Sequence, residues 1–265
     1  MTIDFHTHAF PDDLAAKAIA AWNGAVPDGA HAVLDGTIGA LLGSMDAAGI
    51  ERSIICSIAT APKQVDSILR WSVGIRSDRI VPFASVHPDC ADPAAEVRKI
   101  AGAGLPGIKM HALYQGYALD DARMWPFYAA VAEAGLILQL HSGGDLAFPL
   151  EDDRASPCRL AAIHRAFPDM TLVAAHLGGW RWWDDVAEVL AGTDVWFETS
   201  YTFGVAQEEV IGRIVERHGA DRILFGSDSP WCDQATALSR VRQGFPDSGE
   251  QALVLRKNAQ RLLGL

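Results

Sequence analysis

Basic residues are scarce in this chain. Its 22 Lys and Arg stand against 33 Asp and Glu, a net charge of −11 over 265 residues. No Lys/Arg cluster of five or more relieves that imbalance, which argues against a nucleic-acid partner, since such partners are held mainly by those side chains. Long apolar runs are missing as well, and without them no segment spans a bilayer. The four cysteines, Cys56, Cys90, Cys158 and Cys232, are scattered and form no C-x-x-C pair; reduced thiols in a cytoplasmic protein are the simplest reading. Strand chemistry begins at residue 3, leaving no room for a signal peptide. There is no Gly-rich phosphate loop after the first strand, no low-complexity tract and no domain boundary, so residues 1–265 are expected to form one domain.

What the chain has in quantity is apolar residues, 49% of the total, ample for a core. They gather in short runs near residues 2–6, 53–58, 80–86, 106–110, 136–141, 171–176, 194–198 and 222–227. Several runs are continuous, as in strands buried on both faces. Helical segments lie between them. Asp92-Pro93 and Ser156-Pro157 each set a capping side chain before a first-turn proline. Asp120 or Asp121 can cap a helix that reaches Glu133 and stops at Gly135. Further helices are expected over 205–218 and 251–263. Eight strand–helix alternations predict an α/β fold, the (β/α)₈ TIM barrel, with a doubly wound sheet as the alternative. Two connections are long: 9–52, with the Ala-rich segment Leu14–Trp22, and 142–156, with Gly143, Gly144 and Pro149. Such loops form pocket walls or lids more often than disorder.

In such barrels the reacting groups come from the C-terminal ends of the strands. The first strand ends in His6 and His8, two apart and therefore on one side, the spacing of a metal pincer. Later ends carry His87, then Lys109 with His111, then His141, His176, Glu198 and Asp228. Six of nine histidines fall at these ends; His31, His164 and His218 read as ordinary surface positions.

The motifs D-F-H-T-H, G-I-K-M-H, L-H-S-G, A-H-L-G-G and F-G-S-D-S-P-W occur in that order along the whole chain. The chain thereby resembles the amidohydrolase superfamily, specifically the amidohydrolase-related branch with aminocarboxymuconate-semialdehyde decarboxylase, γ-resorcylate decarboxylase and lactone hydrolases. The resemblance implies His6, His8, His141 and Asp228 as ligands of one divalent metal, Zn²⁺ first, with Mn²⁺ or Fe²⁺ also suited to three imidazoles and a carboxylate. It implies a metal-activated water, Asp228 as proton shuttle and His176 as a helper that polarises the substrate. In some superfamily members the lysine corresponding to Lys109 is carboxylated and bridges two metals, with His176 as a further ligand. In this branch one metal is usual, and Lys109 is then free to bind an anionic substrate group.

His111 faces the same side as Lys109 and is a second pocket candidate. Trp180 and Arg181, in the run Gly178-Gly179-Trp180-Arg181-Trp182-Trp183, suggest an aromatic wall and a carboxylate clamp, or else packing against a helix or a second subunit. His87 before Pro88 fits a turn as well as a site, Glu198 a ligand-orienting bond as well as a plain salt bridge, and Cys232 a bystander near Trp231. The leading expectation is a metal-dependent hydrolase of a small lactone, amide or related carboxylate-bearing compound. The second is a non-oxidative decarboxylase of a carboxylated aromatic or muconate-type substrate, favoured if Arg181 or Lys109 clamps a carboxylate near the metal. A nuclease is opposed by Lys109, by Gly-Ser-Asp at strand 8 and by the acidic charge. A barrel that only binds a ligand is opposed by the cost of burying four convergent ligands without an ion. Surplus tryptophans would suit a homodimer interface.

Overall fold

The computed structural model describes residues 2–27 and 30–265. Among them are eight strands, all parallel to their neighbours: β1 (Ile3–Thr7), β2 (Arg52–Cys56), β3 (Ile80–Phe83), β4 (Gly107–Met110), β5 (Ile137–Leu140), β6 (Leu172–Ala174), β7 (Trp196–Glu198) and β8 (Ile223–Leu224). β1–β3 form one ladder and β4–β8 another. Two seams join them. At β3–β4, the Ala84 carbonyl accepts from Lys109 N at 2.8 Å. At β8–β1, Phe5 N donates to the Phe225 carbonyl at 2.7 Å and Asp228 N to the His6 carbonyl at 2.8 Å. The closed (β/α)₈ barrel expected from the alternation is thus the observed fold, with every expected strand present.

Strands β4 and β5 are buried along their whole length, as strands covered by helices outside and side chains inside must be. Within the barrel Phe5 and Phe83 meet edge to face, 5.9 Å between centroids. Gly107 makes this possible, because a Cβ there would lie 2.7 Å from the Phe83 ring.

The expected helix punctuation is largely present. Asp92 caps Pro93–Gly102 by accepting from Ala95 N. Asp121 caps the short turn Ala122–Met124, which leads into Trp125–Ala134 and stops at Gly135 with φ 63°. Ser156 precedes Pro157–Ala166, but its side chain makes no capping bond. The helix expected over 205–218 begins at Glu208, and the last one starts at Ser248 and passes through a π-helical turn, Leu253–Lys257. The long 9–52 connection folds two helices: Asp12–Asn23 lines the cavity at the end of the barrel where the strands stop, and Ile38–Ala48 packs Leu41 and Met45 into the core before β2.

His218 corrects a sequence expectation. It is buried rather than superficial, its ring stacked on Phe197 at 3.9 Å. The amphipathic helix Glu208–His218 turns it inward onto β7 with Val210, Ile211 and Ile214. No helix among the described residues is long and apolar enough to cross a membrane.

Candidate metal centre

His6 lies in β1 and His8 just past its end, so the strand's alternation points both rings into the barrel mouth. Asp228 follows β8, held in the left-handed region at φ 65° by its backbone bond to His6. His176, after β6, is left-handed too, at φ 59°. Non-glycine residues adopt this region at a cost, and such strain collects at functional sites.

His6 Nδ1 donates to Glu198 Oε1 at 2.8 Å. A carboxylate only accepts, so His6 Nε2 keeps a bare lone pair. That lone pair faces His8 Nε2 at 3.1 Å and Asp228 Oδ1 at 3.3 Å, while His8 Nε2 stands 3.0 Å from the same oxygen. Lys109 Nζ closes the cluster at 3.2 Å from His6 Nε2. Burial, the Lys109 charge and the neighbouring histidines outweigh Asp228 in holding the His6 pKa well below its ordinary value. Burial alone would raise Asp228; His6, His8 and His176 together bring its carboxyl below the usual carboxylate range instead.

His141 belongs to the neighbouring half of the site. Its Nε2 is 2.8 Å from the Gly144 carbonyl and takes the donor role, so Nδ1 presents a lone pair. That nitrogen faces His176 Nε2 at 3.0 Å, whose partner Nδ1 is satisfied by the Ser200 carbonyl at 3.1 Å. Two lone pairs face each other here as well. Burial, His111 and His176 push the His141 pKa well down. His111 stacks flat on His141, 3.8 Å between centroids, with Nε2 3.4 Å from Asp145 Oδ2.

The donor set fits a divalent cation. Metal–ligand bonds near 2.0–2.2 Å place neighbouring ligand atoms roughly 3.0–3.5 Å apart, and the contacts among His6, His8 and Asp228 run from 3.0 to 3.3 Å. Asp228 Oδ1, though buried among them, has no well-formed hydrogen bond. Acceptor atoms aimed at one another in a buried place are at rest only around positive charge. His6, His8 and Asp228 therefore form one compact trio. His141 instead groups with His111 and Asp145, and meets the trio through His176, whose ring centroid is 5.5 Å from that of His6.

Glu198 is the hub beneath the cluster: besides His6 it accepts from His176 N at 2.9 Å, from Ser200 N at 2.8 Å and from Ser200 Oγ at 2.7 Å. Gly226 leaves it room, since any Cβ there would collide with Oε2. Asp4 anchors the seam from below. It accepts from His6 N, Ser227 N, Ser227 Oγ and Gln234 Nε2, and burial raises its pKa to about 7 against the pull of those bonds.

The cluster lies in a cavity of about 660 Å³. Lys109, His111, Trp180 and Trp231 line it. Arg181 does not: its left-handed backbone, φ 63°, leaves it exposed, with the guanidinium 4.5 Å above the Trp180 ring. Trp183 ties the loop down, its indole N–H on the His176 carbonyl at 3.0 Å. His87 receives Asp89 N at 3.1 Å in a turn and lies outside the cavity. Cys232 is also outside, and burial lifts its thiol to about 11.

Sequence reasoning missed Ser200, Asp145 and the outer aromatics Trp22 and Trp71. Ser200 was findable as the residue two beyond Glu198, on the same side of an extended strand. Trp22 and Asp145 sit in long connections, and Trp71 lies on the helix Val65–Ile75, whose place at the cavity the sequence does not disclose.

The sequence matches the amidohydrolase family profile over residues 3–265. No curated protein matches. Among solved structures, an uncharacterised TIM-barrel protein of Bordetella bronchiseptica is similar with TM-score 0.81 at 19% identity, over 99% of this chain and 98% of that one. A 5-carboxyvanillate decarboxylase of Novosphingobium aromaticivorans, complexed with manganese and 4-hydroxy-3-methoxy-5-nitrobenzoic acid, is similar with TM-score 0.75 at 16% identity, over 100% and 96%. A probable 2-pyrone-4,6-dicarboxylic acid hydrolase of Acinetobacter baumannii is similar with TM-score 0.67 at 16% identity, over 100% and 99%.

Proposed function

The chain belongs to the amidohydrolase family, and from that premise we propose that it is a metal-dependent, non-oxidative decarboxylase of a small hydroxylated aromatic carboxylate. This reverses the order of the two expectations drawn from the sequence. The observation that carries it is Lys109: its ammonium is buried inside the barrel, 3.2 Å from His6 Nε2, with no carboxylate within ion-pair distance among the described residues. It supplies the cation beside the metal that a substrate carboxylate needs. Decarboxylases of aromatic acids among the solved structures of this fold point the same way.

His6, His8 and Asp228 would hold the ion, with His141 on the adjoining wall. When bound, the metal supplies Lewis-acid stabilisation of anionic oxygen. Lys109 and His111 orient the substrate carboxylate, and Trp180 packs against the ring. Loss of CO₂ exchanges a C–C bond for a C–H bond, so one proton must reach the ring carbon. Asp228, kept ionised by its neighbours, takes the proton of the substrate hydroxyl and returns it to that carbon as the C–C bond breaks. The resulting phenolate is reprotonated from water. His176, whose Nδ1 donates to the Ser200 carbonyl, turns an accepting Nε2 to the cavity and can take a hydrogen bond from the substrate hydroxyl.

Hydrolysis of a lactone is the second reading, because the same fold includes the 2-pyrone-4,6-dicarboxylic acid hydrolase. The test is a substrate panel of hydroxybenzoates and carboxylated lactones on Mn²⁺- and Zn²⁺-loaded protein, reading CO₂ release and ring opening separately. CO₂ release that disappears in His8→Ala supports the proposal. Ring opening alone would establish the hydrolase, and activity surviving in His8→Ala would dismiss metal catalysis.

A further inference from the structure

The cavity has two unlike ends. At the inner end His6, Lys109, His111, His141, His176 and Asp228 are all buried. The outer end is lined mainly by partly exposed apolar side chains on two elements, together with the exposed Lys17 and Ser67 and the half-buried Gln64. One wall is the helix Asp12–Asn23, through Leu14, Ala18 and Trp22; the other is the helix Val65–Ile75, through Ile68 and Trp71. Leu14 is 50% exposed although it lines the cavity.

An aromatic series connects the two ends. The Trp231 ring lies 6.2 Å from that of His8, and Trp22 stacks on Trp231 at 4.5 Å and 28°. The Trp22 indole N–H is already used by the Ala30 carbonyl at 3.3 Å, so Trp22 offers this wall its apolar ring. Trp22 thus lies beyond Trp231 as seen from His8, and Trp71 lines the same cavity. The volume, about 660 Å³, is on the order of twenty liquid-water volumes of ~30 Å³ each, far more than a single carboxylated ring displaces. It falls within the roughly 300–1,000 Å³ typical of pockets that enclose drug-sized ligands.

We infer that the substrate carries an uncharged apolar arm, a second ring or an alkyl chain, on the side opposite its carboxylate, and that Trp22 and Trp71 clasp this arm and set substrate preference. The inference rests on the reading of the site as a decarboxylase of aromatic acids. It adds the class: a carboxylated phenol with a hydrophobic extension rather than a single-ring acid.

The experiment uses Mn²⁺-loaded full-length protein and two matched probes, 2-hydroxybenzoate and its 4-phenyl derivative. Calorimetry gives both affinities, and CO₂ release gives kcat and KM for each. The phenyl derivative is expected to bind at least about tenfold more tightly. Trp22→Ala and Trp71→Ala are each expected to cut that preference several-fold, chiefly in KM, with Trp71→Phe restoring most of it; a melting curve for each variant confirms folding. Equal affinity for the two probes, no binding of the extended one, or a preference untouched in both alanine variants would overturn the inference. Failure of the underlying reaction has a different signature: tryptophan-dependent binding of the extended acid with no CO₂ released leaves the arm pocket standing and removes the decarboxylase. Decarboxylation of both acids at equal KM does the reverse.

Discussion

The Glu198 carboxylate accepts the Nδ1 proton of His6 at 2.8 Å and thereby turns the other nitrogen of that ring, lone pair exposed, onto Asp228. Residues far apart in sequence are coupled by one bond, and with it the tautomer of a proposed metal ligand is chosen. Such partners raise ligand basicity and fix ring orientation. Glu198→Gln keeps the volume but loses the charge, and its amide can face His6 with the wrong polarity. Metal affinity is expected to fall by about 10–100-fold, measured by chelator competition. An unchanged affinity would make Glu198 a purely structural residue.

Removing the ion should be visible in stability alone. A cation present at a hundred times its Kd adds about 2.7 kcal/mol, and for a chain of this size that corresponds to roughly 5–10 °C in Tm. Chelated protein is expected to regain this on addition of Mn²⁺, followed by scanning fluorimetry. His8→Ala, which deletes the partly buried member of the trio, should show no such gain.

Lys109 and Arg181 were equal candidates for a carboxylate clamp, and their surroundings separate them. Lys109→Met is expected to raise KM for a carboxylated substrate by about tenfold or more, since a charge-assisted bond is lost at a buried position. Arg181→Ala removes an exposed guanidinium that rests on the outside of Trp180 and should change KM by about twofold or less. Steady-state kinetics on the two variants decides, and comparable losses would return Arg181 to the site.

Acid sensitivity has a source away from the cavity. Burial first, and the charge of Arg222 second, lower the His218 pKa from 6.5 to about 4. Above pH 6.5 neither the folded nor the unfolded chain protonates this ring, and it contributes no pH dependence. As pH falls from 6.5 to about 4 only the unfolded chain takes up the proton, so stability declines across that window by up to roughly 3 kcal/mol. His218→Asn retains an acceptor for Gly192 N, which His218 Nδ1 now receives at 3.2 Å. The variant is expected to start less stable, having lost the Phe197 stack, but to show a flatter urea-denaturation profile between pH 6.5 and 4. Parallel profiles would refute the assignment.

The barrel was legible because its strands are apolar runs at regular spacing, and the strand-end histidines stand out against them. The trio of His6, His8 and Asp228 follows from this directly, since closure of the barrel brings the first strand beside the last. Arg181 was misleading because nothing in Gly-Gly-Trp-Arg-Trp-Trp discloses the left-handed turn that swings it outward. His141 reads from sequence as an equal of His6 and His8, but its bond to the Gly144 carbonyl sets it with His176 and His111. His218 lay at the end of a helix, where a polar residue passes for a cap, and only the packing against Phe197 reveals its burial. Trp22 and Trp71 belong to elements whose placement over the barrel mouth depends on tertiary packing.

The seam between β8 and β1 gives the metal centre a further mechanical meaning. There the hoop of strands is closed by only a few backbone bonds, and His6 and Asp228 face each other across the gap. An ion shared by these two residues would be a clasp between the first strand and the last. Bound to the folded chain alone, it would add its binding free energy to the closure of the barrel. Loss of the ion would thus open a hoop as well as empty a site, and the amides of Phe5 and Asp228 should be among the first in the barrel wall to exchange with solvent.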